Sequence, residues 1–407
     1  MKCGLLGCPL GHSYSPAIHA MLGDYSYSLF EKSREELADF LKNGDFSGLN
    51  VTIPYKKAVV PYMHELTEAA RKLGAVNTIV RRADGTLLGH NSDLYGFRFL
   101  LAQSKLNPQG KKCLVLGSGG ASSTVCAVLE EAGGQVVVIS RSGKNNYRNL
   151  HLHKDASILV NATPVGMYPE NGVSPVDLSL FPRLEGVLDL IYNPARTKLL
   201  MDAENRGIVA VNGLGMLVAQ AKESGEYFTN MPVSPDEIER ILCILQNKMQ
   251  NIILIGMPGC GKTTVAEALA RYTGRKWVDI DREIEKAAGK SIPAIFAQDG
   301  EDTFRRLETE ILAGICKESA LVIATGGGCV TKEENHPLLR QNGRLFWLQR
   351  DLDKLPTDGR PLSLSEGPKA LFQRRAPLYA RLADHIIDNN GTIADTVNQI
   401  LSAMEVV

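Results

Sequence analysis

The chain has 407 residues, enough for two or three compact units at roughly 150 residues each. Hydrophobic residues make up 44% and charged residues 22%, and the 45 Lys+Arg balance the 45 Asp+Glu, so charge favours neither nucleic acid nor an anionic membrane as a partner. No apolar run approaches the roughly 20 residues that span a bilayer, and Pro9 and Gly11 break the first apolar stretch before it forms a secretory core. The eight cysteines (Cys3, Cys8, Cys113, Cys126, Cys243, Cys260, Cys316, Cys329) form no CxxC pair and no zinc-ligand spacing, which points to a reducing cytoplasm.

Strand-like apolar runs alternate with helical segments along almost the whole chain, the pattern of an α/β protein with mainly parallel sheets. Residues 1–100 carry short strands at Leu49–Ile53 and Asn77–Val80. Polar side chains cluster around them: Ser13 and Ser15, Thr52 and Lys56, Asn77, and Asn91-Ser92-Asp93. Hydroxyls and amides suit a polyhydroxylated substrate, and a Lys with an Asp suits proton transfer at a carbonyl or alcohol centre. Turn and cap chemistry is the alternative for each; Asp93 is also placed to cap a helix over Leu94–Ala102.

Lys112–Leu116 reads as a strand, followed by Gly117-Ser118-Gly119-Gly120-Ala121-Ser122 and a helix to Ala132. That is a glycine-rich dinucleotide turn in its proper strand–helix context. The next strand, Gln135–Ile139, ends in Ser140-Arg141-Ser142 with Lys144 close by. A carboxylate for ribose hydroxyls is missing there and a cation stands in its place, which favours NADP(H) over NAD(H). Gly143–Ala156 is short for a helix before the strand Ser157–Asn161, and His151 and His153 within it read as surface residues. A helical stretch, Leu214–Gln246, follows.

Together these motifs resemble shikimate dehydrogenase over about 1–245. The residues that carry the resemblance are Gly7-x-Pro9-Leu10-x-His12-Ser13-x-Ser15-Pro16, Asn50-Val51-Thr52-x-Pro54-x-Lys56, Gly74-Ala75-Val76-Asn77-Thr78, Asn91-x-Asp93-x-x-Gly96, the glycine loop, Asn161-Ala162-Thr163, Asp189-x-x-Tyr192-x-Pro194 and Gly215-Met216-Leu217-x-x-Gln220. The resemblance implies Lys56 and Asp93 as the catalytic pair. Ser13, Ser15, Thr52, Asn77, Asn91, Asp93, Tyr192 and Gln220 would surround the substrate. Gly117, Ser118, Gly119, Gly120, Ala121, Ser140, Arg141, Ser142, Lys144 and Gly213 would hold the cofactor. Ser-Arg-Ser replaces the family's usual Asn-Arg-Thr after the second cofactor strand.

Asn251–Ile255 is a strand that leads into Gly256-Met257-Pro258-Gly259-Cys260-Gly261-Lys262-Thr263-Thr264 and a helix over Val265–Tyr272. GxxxxGK[ST] in this setting cradles the phosphates of a nucleoside triphosphate; Lys262 reaches the terminal phosphates and Thr263 ligates Mg²⁺. Trp277–Asp281 reads as a second strand whose two alternate carboxylates, Asp279 and Asp281, face one way. Arg305 and Glu308 share a helix face, either as a carboxylate clamp or as a surface pair. Leu321–Thr325 is a buried-type strand ending in Gly326-Gly327-Gly328, and Arg360 and Arg375 add later cations.

This segment resembles shikimate kinase over 251–407, through the P-loop, Asp-x-Asp, Gly300-Glu301 with Phe304-Arg305 and Glu308, the triple glycine, Arg360-Pro361-Leu362 and Arg375-x-Pro377-Leu378-Tyr379. It implies Asp281 as the group that orients or deprotonates the attacking hydroxyl. Arg305 and Arg375 would hold the acceptor carboxylate, Gly327 and Gly328 would border it, and Gly259, Cys260, Gly261, Lys262, Thr263 and Thr264 would bind ATP. Asp279 would serve Mg²⁺ with Thr263, and Arg360 would be a catalytic lid cation. The stretch Lys354–Arg360 is shorter than the family's lid, and Asn390-Gly391 stand where an adenine-side arginine is usual.

The expected fold is therefore α/β throughout. Residues 1–104 with 213–246 form a shikimate-binding domain, 105–212 a Rossmann NADP-binding domain, and 251–407 a P-loop kinase of α/β/α type with a parallel sheet. The expected function is a bifunctional enzyme that reduces 3-dehydroshikimate with NADPH and phosphorylates the resulting shikimate with ATP. The alternative is a quinate-type dehydrogenase joined to a kinase, with one half non-catalytic.

Overall fold

The computed structural model describes residues 1–11, 13–356 and 367–405. Three sheets organise it. The first has six strands in the order β2-β1-β3-β5-β6-β4: β1 (Lys2–Gly7), β2 (Ser26–Glu31), β3 (Gly48–Val51), β4 (Glu65–Leu66), β5 (Thr78–Arg81) and β6 (Leu87–His90). β1 runs parallel to β2 and β3, whereas β5 is antiparallel to both β3 and β6. The β5–β6 hairpin turns at Asp84-Gly85, where Gly85 has φ 82°, a conformation glycine enters without a Cβ penalty.

The second sheet is wholly parallel, in the order β11-β10-β9-β7-β8: β7 (Lys112–Leu116), β8 (Gln135–Ile139), β9 (Ile158–Asn161), β10 (Gly186–Asp189) and β11 (Val209–Asn212). The first and second strands to be laid down sit at one side and the third crosses over, which creates a switch point at β7/β9 where the glycine loop emerges. The short segment after β8 forms one 3-10 turn, Leu150–His153, in place of a helix, and β8 is the sheet edge. His151 is exposed as expected, but His153 is buried, with neither ring nitrogen hydrogen-bonded among the described residues.

The third sheet is also parallel, in the order β13-β14-β12-β15-β16: β12 (Asn251–Ile255), β13 (Trp277–Asp279), β14 (Val322–Ala324), β15 (Gly343–Gln349) and β16 (His385–Asp388). Ile252, Ile253, Leu254 and Ile255 are fully buried, the continuous apolar run that a strand covered on both faces requires.

By its contacts the chain divides into two units. One comprises Met1–Val165, Ser174–Tyr192 and Leu199–Ile244; the other comprises Gly166–Val173, Asn193–Lys198 and Leu245–Val407. Two short segments between 105 and 212 thus group with the C-terminal unit, and the division falls inside the helix Asp236–Met249. Among the described residues no helix is long and apolar enough to cross a membrane.

Candidate active sites

In the first unit the carboxyl ends of β1 and β3 and the amino end of the antiparallel β5 lie side by side, and the helices Asp93–Ser104 and Leu214–Thr229 pack on each other next to them. Gly96 lets those helices touch, because a Cβ there would stand 2.7 Å from the Met216 carbonyl oxygen. A cavity of about 280 Å³ opens between them and the glycine-loop sheet. Ser13, Ser15, Thr52, Lys56, Asn77, Asp93, Tyr192, Gln220, Ala121 and Gly213 all line it.

Lys56 Nζ donates to Asp93 Oδ2 at 2.6 Å, and Asn77 Nδ2 donates to Asp93 Oδ1 at 2.9 Å. Asp93 is the first residue of its helix, and Ser92 holds the cap position without a side-chain capping bond. The carboxylate therefore serves Lys56 and Asn77 rather than the helix end. Asn91 stands apart from the cavity: its amide nitrogen donates to the Ala75 carbonyl and its oxygen accepts from the Asp93 N–H at 3.1 Å. It holds the backbone at Asp93 in place of facing a substrate. Tyr192 packs edge-on to Tyr14, ring centroids 6.1 Å apart, and burial pushes the phenols of both upward, so both stay protonated donors. Asn50, absent from the expected site set, lines the cavity as well.

The dinucleotide turn fits a pyrophosphate. Gly117 has φ 102°, and a Cβ on it would meet the Ala162 carbonyl oxygen at 2.9 Å. Gly119 and Gly120 face open space at the N-terminus of the helix Gly120–Glu131, where free N–H groups and the helix dipole favour an anion. Ser118 lies between these glycines. Ser140, Arg141, Ser142 and Lys144 follow the end of β8, next to this turn through the Gly117 N–H to Ile139 carbonyl bond of 2.8 Å. Arg141 is exposed there. Gly213 leaves room for the Leu190 carbonyl, 2.1 Å from where its Cβ would be.

The second unit holds a cavity of about 910 Å³ bounded by the P-loop, the triple glycine and the helices Ile292–Ile315 and Pro368–Leu382. Gly256, Gly259 and Gly261 have φ of 143°, 82° and 96°, the bends that turn successive N–H groups inward. Cys260 is buried at this bend, while Gly259, Gly261, Lys262, Thr263 and Thr264 line the cavity. Lys262 Nζ donates to the Gly256 and Met257 carbonyls at 2.9 and 3.0 Å.

Asp279 and Asp281 are both at the site, but not as alternate residues of one strand. β13 ends at Asp279, which caps the helix Ile280–Ala288 by accepting from the Arg282 N–H, and Asp281 lies in that helix's first turn. An N-cap aspartate with Asp281 and Glu283 acidic in the first turn outweighs the strand pattern. Thr263 Oγ1 donates to Asp279 Oδ2 at 2.5 Å, an all-oxygen pair suited to Mg²⁺. Asp281 lines the cavity, and burial pushes its carboxyl up to about 6, with Lys262 pulling the other way.

Arg305 and Glu308 are no surface pair. Nη1 of Arg305 donates to Glu308 Oε2 at 2.7 Å with Arg305 5% exposed and Glu308 fully buried, and Glu301 accepts from two further guanidinium nitrogens. Gly326 separates the acids: a Cβ there would stand 2.6 Å from Glu308 Oε1 and 2.7 Å from Asp281 Oδ1. Neither of those oxygens has a partner among the described residues, nor has Nε of the buried Arg375. Gly328 leaves space for the Arg305 guanidinium, 2.3 Å from its would-be Cβ, and Gly327 packs on Pro258. The Tyr379 hydroxyl donates to the Gly327 carbonyl at 2.5 Å. Arg350, at the end of β15, also lines the cavity, with Nη1 3.8 Å from where a Gly261 Cβ would be. Arg360 lies outside the described residues.

Comparison with known proteins finds relatives for both parts of the chain. Residues 5–79 match the family model of the shikimate dehydrogenase substrate binding domain, and residues 258–405 match that of shikimate kinase. The NADP(+) shikimate dehydrogenase of Caldanaerobacter subterraneus is 36% identical over 258 residues, covering 55% of this chain and 92% of that protein. That of Dehalococcoides mccartyi is 38% identical, covering 56% and 90%. Among solved structures, a chorismate mutase/shikimate 5-dehydrogenase fusion protein from Clostridium acetobutylicum matches with TM-score 0.58 at 36% identity, over 61% of this chain and 97% of that one. A Thermus thermophilus shikimate 5-dehydrogenase, solved with NADP(H) and shikimate, matches with TM-score 0.55 at 32% identity, over 60% and 98%. The chain belongs to the shikimate dehydrogenase family and carries a shikimate kinase domain behind it.

Proposed function

We propose that the chain catalyses two consecutive steps: reduction of 3-dehydroshikimate to shikimate with NADPH, then phosphorylation of shikimate to shikimate 3-phosphate with ATP. The observation that carries this reading is the Lys56–Asp93 pair set in a cavity of hydroxyls and amides, in a chain whose second unit holds a P-loop kinase site suited to a carboxylate-bearing alcohol. When bound, NADPH supplies the hydride and magnesium ATP the phosphoryl group.

In the first step Lys56 donates a proton to the carbonyl oxygen as it becomes an alkoxide, and Asp93 keeps the ammonium aimed. Ser13, Ser15, Thr52, Asn77, Tyr192 and Gln220 surround the ring, and Arg141 with Lys144 meets the 2′-phosphate that distinguishes NADP(H). In the second step Asp281 takes the hydroxyl proton; a carboxyl raised to about 6 is a better base near neutral pH than an ordinary one. Arg305 and Arg375 hold the acceptor carboxylate, Lys262 stabilises charge on the phosphates, and Thr263 with Asp279 holds Mg²⁺. Arg350 supplies the nucleotide-side cation that position 390 lacks. None of the eight cysteines is in a disulfide, which suits a reducing cytoplasm.

Incubation of the full chain with 3-dehydroshikimate, NADPH, ATP and Mg²⁺ tests the reading. Loss of NADPH and formation of shikimate 3-phosphate are expected. Absence of NADPH oxidation overturns the first step, and accumulation of shikimate with ATP intact overturns the second.

A further inference from the structure

The helix Leu214–Thr229 carries a serine that no motif singles out. Ser224 is fully buried, one turn beyond the cavity-lining Gln220. Its Oγ accepts from Asn50 Nδ2 at 2.8 Å, donates to the Gln220 carbonyl at 2.9 Å, and lies 2.9 Å from both Thr78 Oγ1 and Ser92 Oγ. Thr78 and Ser92 are themselves fully buried. Three hydroxyls from β5, the start of the helix Asp93–Ser104 and the helix Leu214–Thr229 thus meet at one point behind the cavity.

A hydroxyl has one proton to give and two lone pairs to fill. With its proton on the Gln220 carbonyl, Ser224 accepts from Asn50 and from one neighbouring hydroxyl. The other neighbour's proton then goes to Asn77 Oδ1, which lies 3.0 Å from Thr78 Oγ1 and 3.2 Å from Ser92 Oγ. That oxygen also accepts the Ser92 N–H at 2.8 Å. Asn77 Oδ1 is therefore committed to donors on the far side, and its Nδ2 is turned to Asp93 Oδ1. The reverse orientation would set a carbonyl oxygen against the carboxylate.

We infer that Ser224 is a positioning residue for the Lys56–Asp93 pair: through Thr78 and Ser92 it fixes the Asn77 amide that holds Asp93 aimed at Lys56. The inference rests on the dehydrogenase reading above. Buried, mutually bonded polar groups of this kind act as a unit, so their effects are non-additive.

The test is Ser224→Ala in the full chain. Turnover of 3-dehydroshikimate should fall about ten-fold, while the KM for NADPH and the kinase turnover of the same molecule stay unchanged. In an Asn77→Ala background the substitution should add little further loss. Ser224→Cys, which keeps the volume with a weaker partner, should fall between wild type and Ser224→Ala, and it carries the test if the alanine variant does not fold. Unchanged turnover in either variant, or equal losses with and without Asn77, overturn the inference. A wild-type chain that does not reduce 3-dehydroshikimate sinks the dehydrogenase reading instead.

Discussion

Lys56 Nζ stands 2.6 Å from Asp93 Oδ2, a contact between a loop after β3 and the first turn of a helix 37 residues further along. The pair is largely shielded, with side-chain exposures of 26% and 11%, so its geometry survives salt better than a surface bridge would. Lys56→Ala should lower dehydrogenase turnover by about 10²- to 10⁴-fold, the range of a lost general acid. Kinase turnover should be untouched. Lys262→Ala should do the reverse. Parallel assays of both steps on each variant check this, and loss of both activities in either one would contradict the assignment of the two sites.

Asp281→Asn should cut phosphorylation by about 10²- to 10⁴-fold, yet make the kinase unit more stable. Burial lifts the carboxyl from 3.8 to about 6, so the ionised form is the costly one in the folded state. That cost is present above pH 6 and disappears as pH falls through 6 towards 3.8; it amounts to about 3 kcal/mol. Trp277 and Trp347 are the two tryptophans of the chain and both lie in this unit, so melting followed by their fluorescence reports it selectively. The gain in melting temperature should be clear at pH 8 and vanish near pH 4. The wild-type kcat/KM for shikimate should fall below about pH 6.

Gly328→Ala should raise the KM for shikimate about ten-fold, equivalent to about 1.4 kcal/mol, with little change in the KM for ATP. A Cβ at that point collides with the Arg305 guanidinium, and φ there is −103°, so the backbone itself tolerates alanine. Steady-state kinetics with each substrate varied in turn separates the two effects. An unchanged shikimate KM would show that Arg305 does not hold the acceptor.

Arg141→Ala should raise the KM for NADPH about ten-fold and leave that for NADH nearly unchanged, because only the former carries the phosphate an exposed guanidinium would meet. Comparison of the two cofactors on one variant checks it. Equal effects on both would assign Arg141 to folding of the loop after β8.

Much of this was legible from spacing. β7, β8 and β12 run between the residues their apolar patterns marked; for β7 and β12 a nearly continuous buried run followed by glycine leaves little ambiguity. Asp281 lines the kinase cavity, but not as a strand residue: the strand ends at Asp279 and the helix begins at Ile280, two residues before strand alternation through Asp281 would allow. The burial of the Arg305–Glu308 pair was not legible, since an i, i+3 pair looks the same on a surface as in a core. Ser224 was hidden more completely. Its partners Asn50 and Thr78 lie 174 and 146 residues away, and a serine in a helix carries no periodic signature. Arg350 follows a strand as many surface arginines do, and its place beside the P-loop depends on β15 pairing with β12.

Gly300, with φ 82° and ψ 169°, interrupts the helix Ile292–Ile315 between its two contributions to the kinase cavity. Ile292, Pro293 and Phe296 come before the break, and Phe304, Arg305 and Glu308 come after it. The leading segment can therefore change tilt or sequence without dragging the buried charged pair along. A site divided this way has a variable wall for the body of the acceptor and an inherited anchor for its acid group. Drift in acceptor preference would be written upstream of residue 300, while the demand for a carboxylate persists downstream.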